Sequence, residues 1–339
     1  MKSKLITIAQ YLFFLGLGLL FVWFGVRDIG PREWAQIKTS IGQSRHWLIV
    51  PVTGMLVLSH YFRALRWKLL MQPVGYNPGT FNTWAAVMIG YLVNAGVPRL
   101  GEVVKCTLLA RYEKVAADKL VGTIVLERII DVVCLLVVFL IALVWQGHVI
   151  GDFTAHLFGG ALAGVNPFTP KAIIVILAAA AGIVIFFRLI NRFSHINMVA
   201  KVKAVLSNVG KGLSSIRHLE QRSLFVLYTI LIWALYLSST TAGIYALRET
   251  AHLGVGAGLT TLAIGSVGMI ITPGGIGAYP ALVAKLIGEY GLDVKTIGTA
   301  LGWLLWSAQT VIIIVGGLVF FGLLQFFNKK SDAQPAVSK

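Results

Sequence analysis

The amino-acid sequence predicts an all-α polytopic membrane protein, with about six transmembrane helices and two broken re-entrant hairpins. Three observations support this fold class. The chain of 339 residues is 57% hydrophobic and only 12% charged, too few charges to cover the surface of a soluble domain. Apolar runs of about 20 residues, the length that crosses the hydrocarbon core of a bilayer, recur along the chain. Two longer apolar stretches are interrupted in their middle by proline and glycine.

The uninterrupted apolar runs predict the transmembrane helices. The first run is too long for the core of a signal peptide and has no small-residue cleavage site, so we expect it to be retained. The predicted spans cover residues 5–26, 47–68, 119–146, 172–190, 223–246 and 296–325. We expect a single integral-membrane domain over residues 1–328 and a disordered cytoplasmic tail over residues 329–339.

The two interrupted stretches, at about 80–114 and 257–290, are too long for one helix and too broken for two good spans. The sequence "VPRLG" breaks the first and "TPGGIG" breaks the second. Glycine permits backbone turns and close packing that other residues forbid. We interpret the breaks as a flexible gate, although a tight loop between spans explains the second equally well. The predicted hinge or gate residues are Pro98, Gly101, Pro273, Gly274, Gly275, Gly277 and Tyr279.

The distribution of Lys and Arg predicts the orientation of the chain. The 147–170 loop contains none and is placed outside, whereas the 188–222 segment contains seven and is placed inside. With both hairpins re-entrant, the two termini lie in the cytoplasm. The halves at about 1–146 and 172–328 then have opposite orientation, which predicts an inverted repeat. Transporters with inverted repeats bind their substrates between paired broken helices.

The formal net charge of +16 indicates an anionic lipid surface as the partner, because the basic residues lie at the ends of apolar runs. No base-reading module is visible, so we expect no nucleic-acid binding. The two cysteines, Cys106 and Cys134, are isolated and have no metal-ligand spacing. We therefore expect no disulfide framework, no metal and no cofactor.

Charged residues inside the third predicted span are functional candidates. Glu127 and Asp131 are four residues apart and share a helix face, and Arg128 can pair with Asp131. Each such charge costs about 2.5–3.5 kcal/mol at the centre of a membrane helix, so these side chains must face protein or water. The alternative is a structural ion-pair cluster, or a shallow position near the headgroups.

The first broken stretch has more charges than local pairing needs. Glu102 can pair with Lys105, which leaves Arg99 and Arg111 for other partners. Arginine and lysine suit phosphate, and a half-helix beginning near Gly101 would direct its N-terminal dipole at an anion. An ordinary amphipathic cytoplasmic helix is the alternative. Before this stretch, Arg63, Arg66 and Lys68 are most simply topology determinants, although Arg66 could reach a headgroup.

The segments "NAGVPRLGEVVK", "ERIID" and "TPGGIGAY" together resemble the flippase-like family of lysylphosphatidylglycerol synthase transmembrane regions. This family is the membrane half of bacterial multiple-peptide-resistance proteins, and it includes stand-alone members and archaeal proteins of dolichol-linked glycosylation. The resemblance covers nearly the whole chain. The family pattern falls on Asn94, Pro98, Arg99, Gly101, Glu102, Lys105, Glu127, Arg128, Asp131, Pro273, Gly274, Gly275 and Gly277.

The chain departs from the family pattern in two respects. Many members have Glu shortly after the last glycine, where this chain has Tyr279 and Pro280. The sequence also ends without the soluble aminoacyl-transferase domain of the fused members. We therefore expect no lysyl-lipid synthesis and no enzyme activity, since the residues form no catalytic constellation.

The resemblance and the charges together predict a lipid translocase that moves a phosphate-bearing lipid across the bacterial inner membrane. The alternative is an integral-membrane transferase, or an accessory protein, acting on polyprenyl phosphate or phospholipid in envelope glycosylation. The predicted headgroup-binding or charge-relay residues are Arg66, Asn94, Arg99, Glu102, Lys105, Arg111, Glu127, Arg128 and Asp131. No nucleotide-binding motif is present in the sequence, so transport would be downhill or ion-coupled.

Overall fold

The computed structural model describes residues 29–157 and 219–332, together with a few positions between 16 and 27. This part of the chain is helical and contains no strand. Its α-helices are α1 (Pro31–Gly42), α2 (Ile49–Met71), α3 (Thr80–Gly96), α4 (Leu100–Glu113), α5 (Ala117–Leu157), α6 (Arg222–Ala246), α7 (Gly254–Ile271), α8 (Ala278–Gly288) and α9 (Thr299–Asp332). Four of the connections in this part are themselves helical turns: 3-10 turns at His46–Leu48, Gln72–Val74 and Pro273–Gly275, and a π-helical turn at Val294–Gly298.

Within these residues, five helical segments are long and apolar enough to cross a membrane. Four of them correspond to predicted spans and contain α2, α5, α6 and α9. The fifth is α7, the first arm of the second broken stretch, whose 18 residues rise about 27 Å. The all-α polytopic membrane fold is therefore confirmed. The predicted span at 172–190 and most of that at 5–26 lie outside the described residues.

Two helices extend beyond their predicted ends. The span predicted to end at residue 146 has a kink at Gln146 (φ −128°, ψ 37°), after which α5 continues to Leu157. The first part of the predicted 147–170 loop is therefore helical, because Val149, Ile150 and Phe153 give it a buried apolar face. Helix α9 similarly continues to Asp332, beyond the predicted boundary at residue 328.

The chain forms two compact units. The first contains residues 1–124 and 223–339, and the second contains residues 125–222. Both broken hairpins, α3–α4 and α7–α8, belong to the first unit. The described part of α5 beyond residue 124 belongs to the second.

Helix α9 packs against both broken hairpins in the first unit. Near its beginning, Leu301 and Leu305 share a buried cluster with Val283 of α8. Near its end, Phe320 packs with Met88 of α3. One continuous helix therefore supports the two interrupted elements.

Candidate functional site

One face of α2 buries two arginines. Arg66 has no exposed surface and Arg63 is only 5% exposed, although both lie within a helix apolar enough to span a membrane. His60 and Trp67 are buried on the same face, at helical spacing from Arg63. The role of Arg63 and Arg66 as topology determinants stays a prediction, and their burial adds that both side chains contact protein rather than solvent.

Aromatic side chains from two other helices surround Arg63. Its guanidinium lies 5.9 Å from the ring centre of Tyr91 on α3. Its Nη2 donates a hydrogen bond of 3.4 Å to the Tyr236 hydroxyl on α6. The rings of His60 and Tyr91 are 4.9 Å apart between centroids. These contacts fix the arginine where α2, α3 and α6 meet.

Lys105 of α4 is the third buried cation, with 5% of its surface exposed. Its ammonium lies 4.0 Å from the ring centre of Trp67 on α2, which is a close cation–π contact. The Trp67 indole in turn donates a hydrogen bond of 2.9 Å to Thr123 Oγ1. Lys105 therefore lies beside the residue that follows Arg66. We refer to Arg63, Arg66 and Lys105 as the buried cations.

The break between α3 and α4 is short and strained. Arg99 adopts the left-handed conformation (φ 68°), which costs a non-glycine residue about 1–2 kcal/mol, and its side chain is exposed. The Gly101 amide donates a hydrogen bond of 2.8 Å to Asn94 Oδ1, so Asn94 joins the two arms across the break. A Cβ on Gly101 would collide with the carbonyl oxygen of Gly90. Gly101 thus permits close packing of the two helices.

The remaining charges of this hairpin are widely separated. Arg99 precedes α4 and Arg111 lies in its last turn, about 18 Å away along the helix axis. Both side chains are exposed, whereas Glu102 is half-buried. A single phosphate group therefore cannot lie beside both arginines.

The second break contains three glycines with positive φ: Gly274 (59°), Gly275 (72°) and Gly277 (71°). Trp306 of α9 donates a hydrogen bond of 2.8 Å from its indole to the Gly274 carbonyl. Sequence reasoning missed Trp306, because the contact joins positions 32 residues apart. Tyr279 lies just after the break and is buried against α9.

The two breaks lie close together in the first unit. Helix α3 contacts the Pro273–Gly275 turn. A Cβ built on Gly274 would lie 3.8 Å from the Cα of Ala95, near the end of α3. The predicted hinge residues of the second hairpin therefore lie against the arm that leads into the first break.

The predicted charges of α5 belong to the second unit. Glu127 is buried, with 1% of its surface exposed, while Arg128 and Asp131 are half-buried. The exposed positions of this helix include Val125, Val132 and Leu136. The carboxylate of Glu127 is thus on the buried face and apolar residues form the exposed one, as the cost of a charge in lipid requires. Among the described residues, no group of His, Cys, Asp and Glu could hold a metal ion.

The fold and the site define an α-helical membrane protein with two broken hairpins and, among its described residues, buried cations. The comparison with known protein families identifies the family of this membrane protein. The family model for the lysylphosphatidylglycerol synthase TM region matches residues 8–324, and the chain belongs to this family.

A curated relative supports this assignment. The chain is 25% identical over 187 residues to UPF0104 membrane protein MJ1595 of Methanocaldococcus jannaschii. The match covers 54% of this chain and 52% of that protein, so the chain spans about half the length of the relative. No solved structure matches the chain.

Proposed function

We propose that this protein is a lipid translocase that moves a phosphate-bearing lipid across the bacterial inner membrane. The observation that carries the proposal is the set of buried cations, Arg63, Arg66 and Lys105, on two neighbouring elements of the membrane domain. The family is a membrane family of lipid-related function, which is consistent with a lipid as the ligand.

The chemistry of these cations favours a phosphate headgroup. Arginine presents a planar set of donors that matches phosphate oxygens, and lysine adds a compact point charge. A cation placed within a span costs about 2.5–3.5 kcal/mol, so Arg63 and Arg66 need anionic or polar partners, and a lipid phosphate suits both of them. The aromatic rings of Tyr91 and Trp67 contact Arg63 and Lys105 and help to hold them in place.

The paired breaks favour movement over static binding. In transporters, interrupted helices at corresponding positions of inverted repeats surround the substrate and rearrange during transport. Here the two breaks lie against each other at Ala95 and Gly274, and the second consists mainly of glycine. We infer that the α7–α8 hairpin moves against α3 and opens the headgroup site alternately to each leaflet.

The acidic residues supply the counter-charges in this mechanism. Glu102 on α4 lies in the same unit as the cations and is predicted to balance their charge and to relay a proton when the lipid leaves. The sequence predicts a charge-relay role for Glu127 and Asp131 on α5 as well. Coupling to an ion gradient or to the lipid gradient itself would then provide the driving force. The net charge of +16 would keep anionic lipid concentrated at the membrane surface.

The test is transport by the purified protein in vesicles of phosphatidylglycerol that contain a fluorescent phospholipid reporter. Dithionite bleaches only the outer leaflet, so translocation appears as loss of the protected fraction. We expect Lys105→Met to slow translocation by at least about tenfold, while its side chain still packs on Trp67. Lys119→Met, at an exposed lysine before the apolar part of α5, should transport normally.

Two further variants separate charge from fold. Arg99→Gly removes a cation and also relieves the strained backbone. This variant should therefore unfold at the same or a higher temperature but translocate lipid more slowly. Glu127→Gln should also slow transport. Normal transport by Lys105→Met, or metal-dependent turnover of the lipid without movement between leaflets, would contradict the proposal and favour the transferase alternative.

A further inference from the structure

A separate cavity lies at the other end of α2 from the buried cations. It has a volume of about 120 Å³ and lies between α2, α6 and α9. Val52 of its wall precedes Arg66 by 14 residues, which corresponds to about 21 Å along the helix axis. The cavity and the buried cations are therefore near opposite ends of a helix that is long enough to cross a membrane.

The wall of the cavity is suited to hydrocarbon. Val52, Leu56, Leu304 and Ala308 contribute apolar surface along its length. Several polar side chains of the wall already bond within the protein: Ser239 donates to the Tyr236 carbonyl, Gln309 donates to the Tyr279 hydroxyl, and Ser44 bonds to His46. A polar ligand would therefore find few free partners, whereas an apolar chain would find a dry surface.

The mouth of the cavity differs from its interior. Arg45 and His46 line it, and both are exposed. The backbone amide of Arg45 donates to the Ala246 carbonyl at 2.7 Å, which fixes the turn beside the end of α6. Trp47 and Val50, next to this turn, are 68% and 72% exposed, as expected for residues in contact with lipid at the membrane interface. This combination of residues suits a mouth at the boundary between lipid headgroups and hydrocarbon.

We propose that this cavity binds one hydrocarbon chain of an anionic membrane lipid, with the phosphate of that lipid beside Arg45. An engineered apolar cavity of about 150 Å³ binds benzene, so a volume near 120 Å³ holds a short segment of a single chain. The inner end of the cavity is one hydrogen bond from Tyr279, in which Gln309 is the donor. A bound chain therefore contacts the residue that connects the cavity to the second hairpin. This inference does not depend on translocation.

The test is photocrosslinking in vesicles that contain phosphatidylglycerol with a diazirine near the end of one chain. Mass spectrometry of the labelled peptides should place crosslinks in residues 44–56 and 239–246. Ala308→Phe fills the cavity and should lower this labelling roughly tenfold, equivalent to about 1.4 kcal/mol of binding. Val311→Phe, on the exposed side of the same helix, should leave the labelling unchanged.

Substitution of Arg45 and a change of lipid headgroup test whether the cavity prefers an anionic lipid. Arg45→Ala should lower labelling by the phosphatidylglycerol probe roughly threefold, the scale of an exposed ion pair. A phosphatidylcholine probe should label less, and Arg32→Ala, at an exposed arginine of α1, should have no effect. Equal labelling with both probes, together with no effect of Arg45→Ala, would overturn the anionic headgroup.

Melting temperature and gel-filtration profile distinguish a filled cavity from a misfolded protein. If Ala308→Phe does not fold, Val52→Phe fills the same cavity from α2. Undiminished labelling in a folded, filled variant would overturn the chain site. Absence of lipid transport by the wild-type protein, with its labelling intact, would instead contradict only the proposed function.

Discussion

The two broken hairpins use similar backbone interruptions for different chemistry. The first, between α3 and α4, has Arg99 within its break, and the arm that follows contains Glu102, Lys105 and Arg111. The second has no acidic or basic residue from Gly254 until Lys285. The first hairpin therefore provides charge, and the second provides a neutral, glycine-rich turn against which that charged element packs.

The two breaks also differ in how the backbone is stabilised. In the first, the left-handed residue is an arginine, and Asn94 holds the strained connection through its hydrogen bond to the Gly101 amide. In the second, the left-handed positions are glycines, for which this conformation costs little. A strained conformation persists only where its surroundings hold it, so the first break is a rigid site and the second is the better candidate for movement.

The largest predicted effect concerns the close packing of the first hairpin. Gly101→Val would push side-chain atoms into the carbonyl oxygen of Gly90, which belongs to the backbone and cannot turn away. We expect a loss of more than about 3 kcal/mol in the free energy of unfolding, seen as a failure to recover folded protein. Gly96→Ala is the control, because no atom lies within 4 Å of its Cβ position. Equal recovery of both variants would contradict the packing described for α3 and α4.

The fold class could be predicted from the sequence because helix length and apolar runs are local properties. The end of α5 was missed because Gly147 and His148 interrupt the apolar run, and apolar length alone does not register the buried face formed by Val149, Ile150 and Phe153. The local sequence pattern thus predicts where the spans lie, but it predicts their ends less accurately.

The site was less predictable, because its contacts join distant parts of the chain. Lys105 was expected to bind an anion, but its position over Trp67 depends on how α2 packs against α4. The burial of Arg63 was not predicted, because counting Lys and Arg treats each cation as a topology signal. The helical spacing of His60, Arg63 and Trp67 on one face was the signal that could have identified it.

The second predicted effect tests the glycine conformation of the other break. Gly274→Ala adds a Cβ to a residue with φ 59°, where the cost is about 1–2 kcal/mol. Gly274→Asn should cost less, because asparagine tolerates this region of backbone conformation. Thermal unfolding in detergent would compare the two. If both variants have the melting temperature of the wild type, the left-handed turn is not required for stability.

The third effect is the link between this break and α9. Trp306→Phe removes the indole donor and leaves the Gly274 carbonyl without that hydrogen bond, at a cost of about 1 kcal/mol. Trp303→Phe, three residues earlier on α9, is the comparison. We expect the Trp306 variant to melt earlier and its second hairpin to exchange amide hydrogens faster, whereas the Trp303 variant should not change exchange in residues 272–278. Unchanged exchange in the Trp306 variant would remove the role of α9 as a support for this break.

The smallest effect concerns the turn that follows the second hairpin. Asp293 accepts hydrogen bonds from the hydroxyl and the amide of Thr296, at 2.6 and 2.7 Å, and the hydroxyl bond is the main cause that lowers the pKa of this carboxyl from its usual 3.8. Because the folded pKa is below the unfolded one, the ionised carboxylate stabilises the fold above about pH 3.8, and this contribution is lost as the pH falls through the folded pKa. Asp293→Asn keeps an acceptor and should change neutral-pH stability by less than about 0.5 kcal/mol. Melting curves across the acidic range should show a shallower pH dependence for this variant and also for Thr296→Val, which removes the hydroxyl donor. A wild-type slope in either variant would mean that the acid sensitivity of the protein arises from other carboxyls.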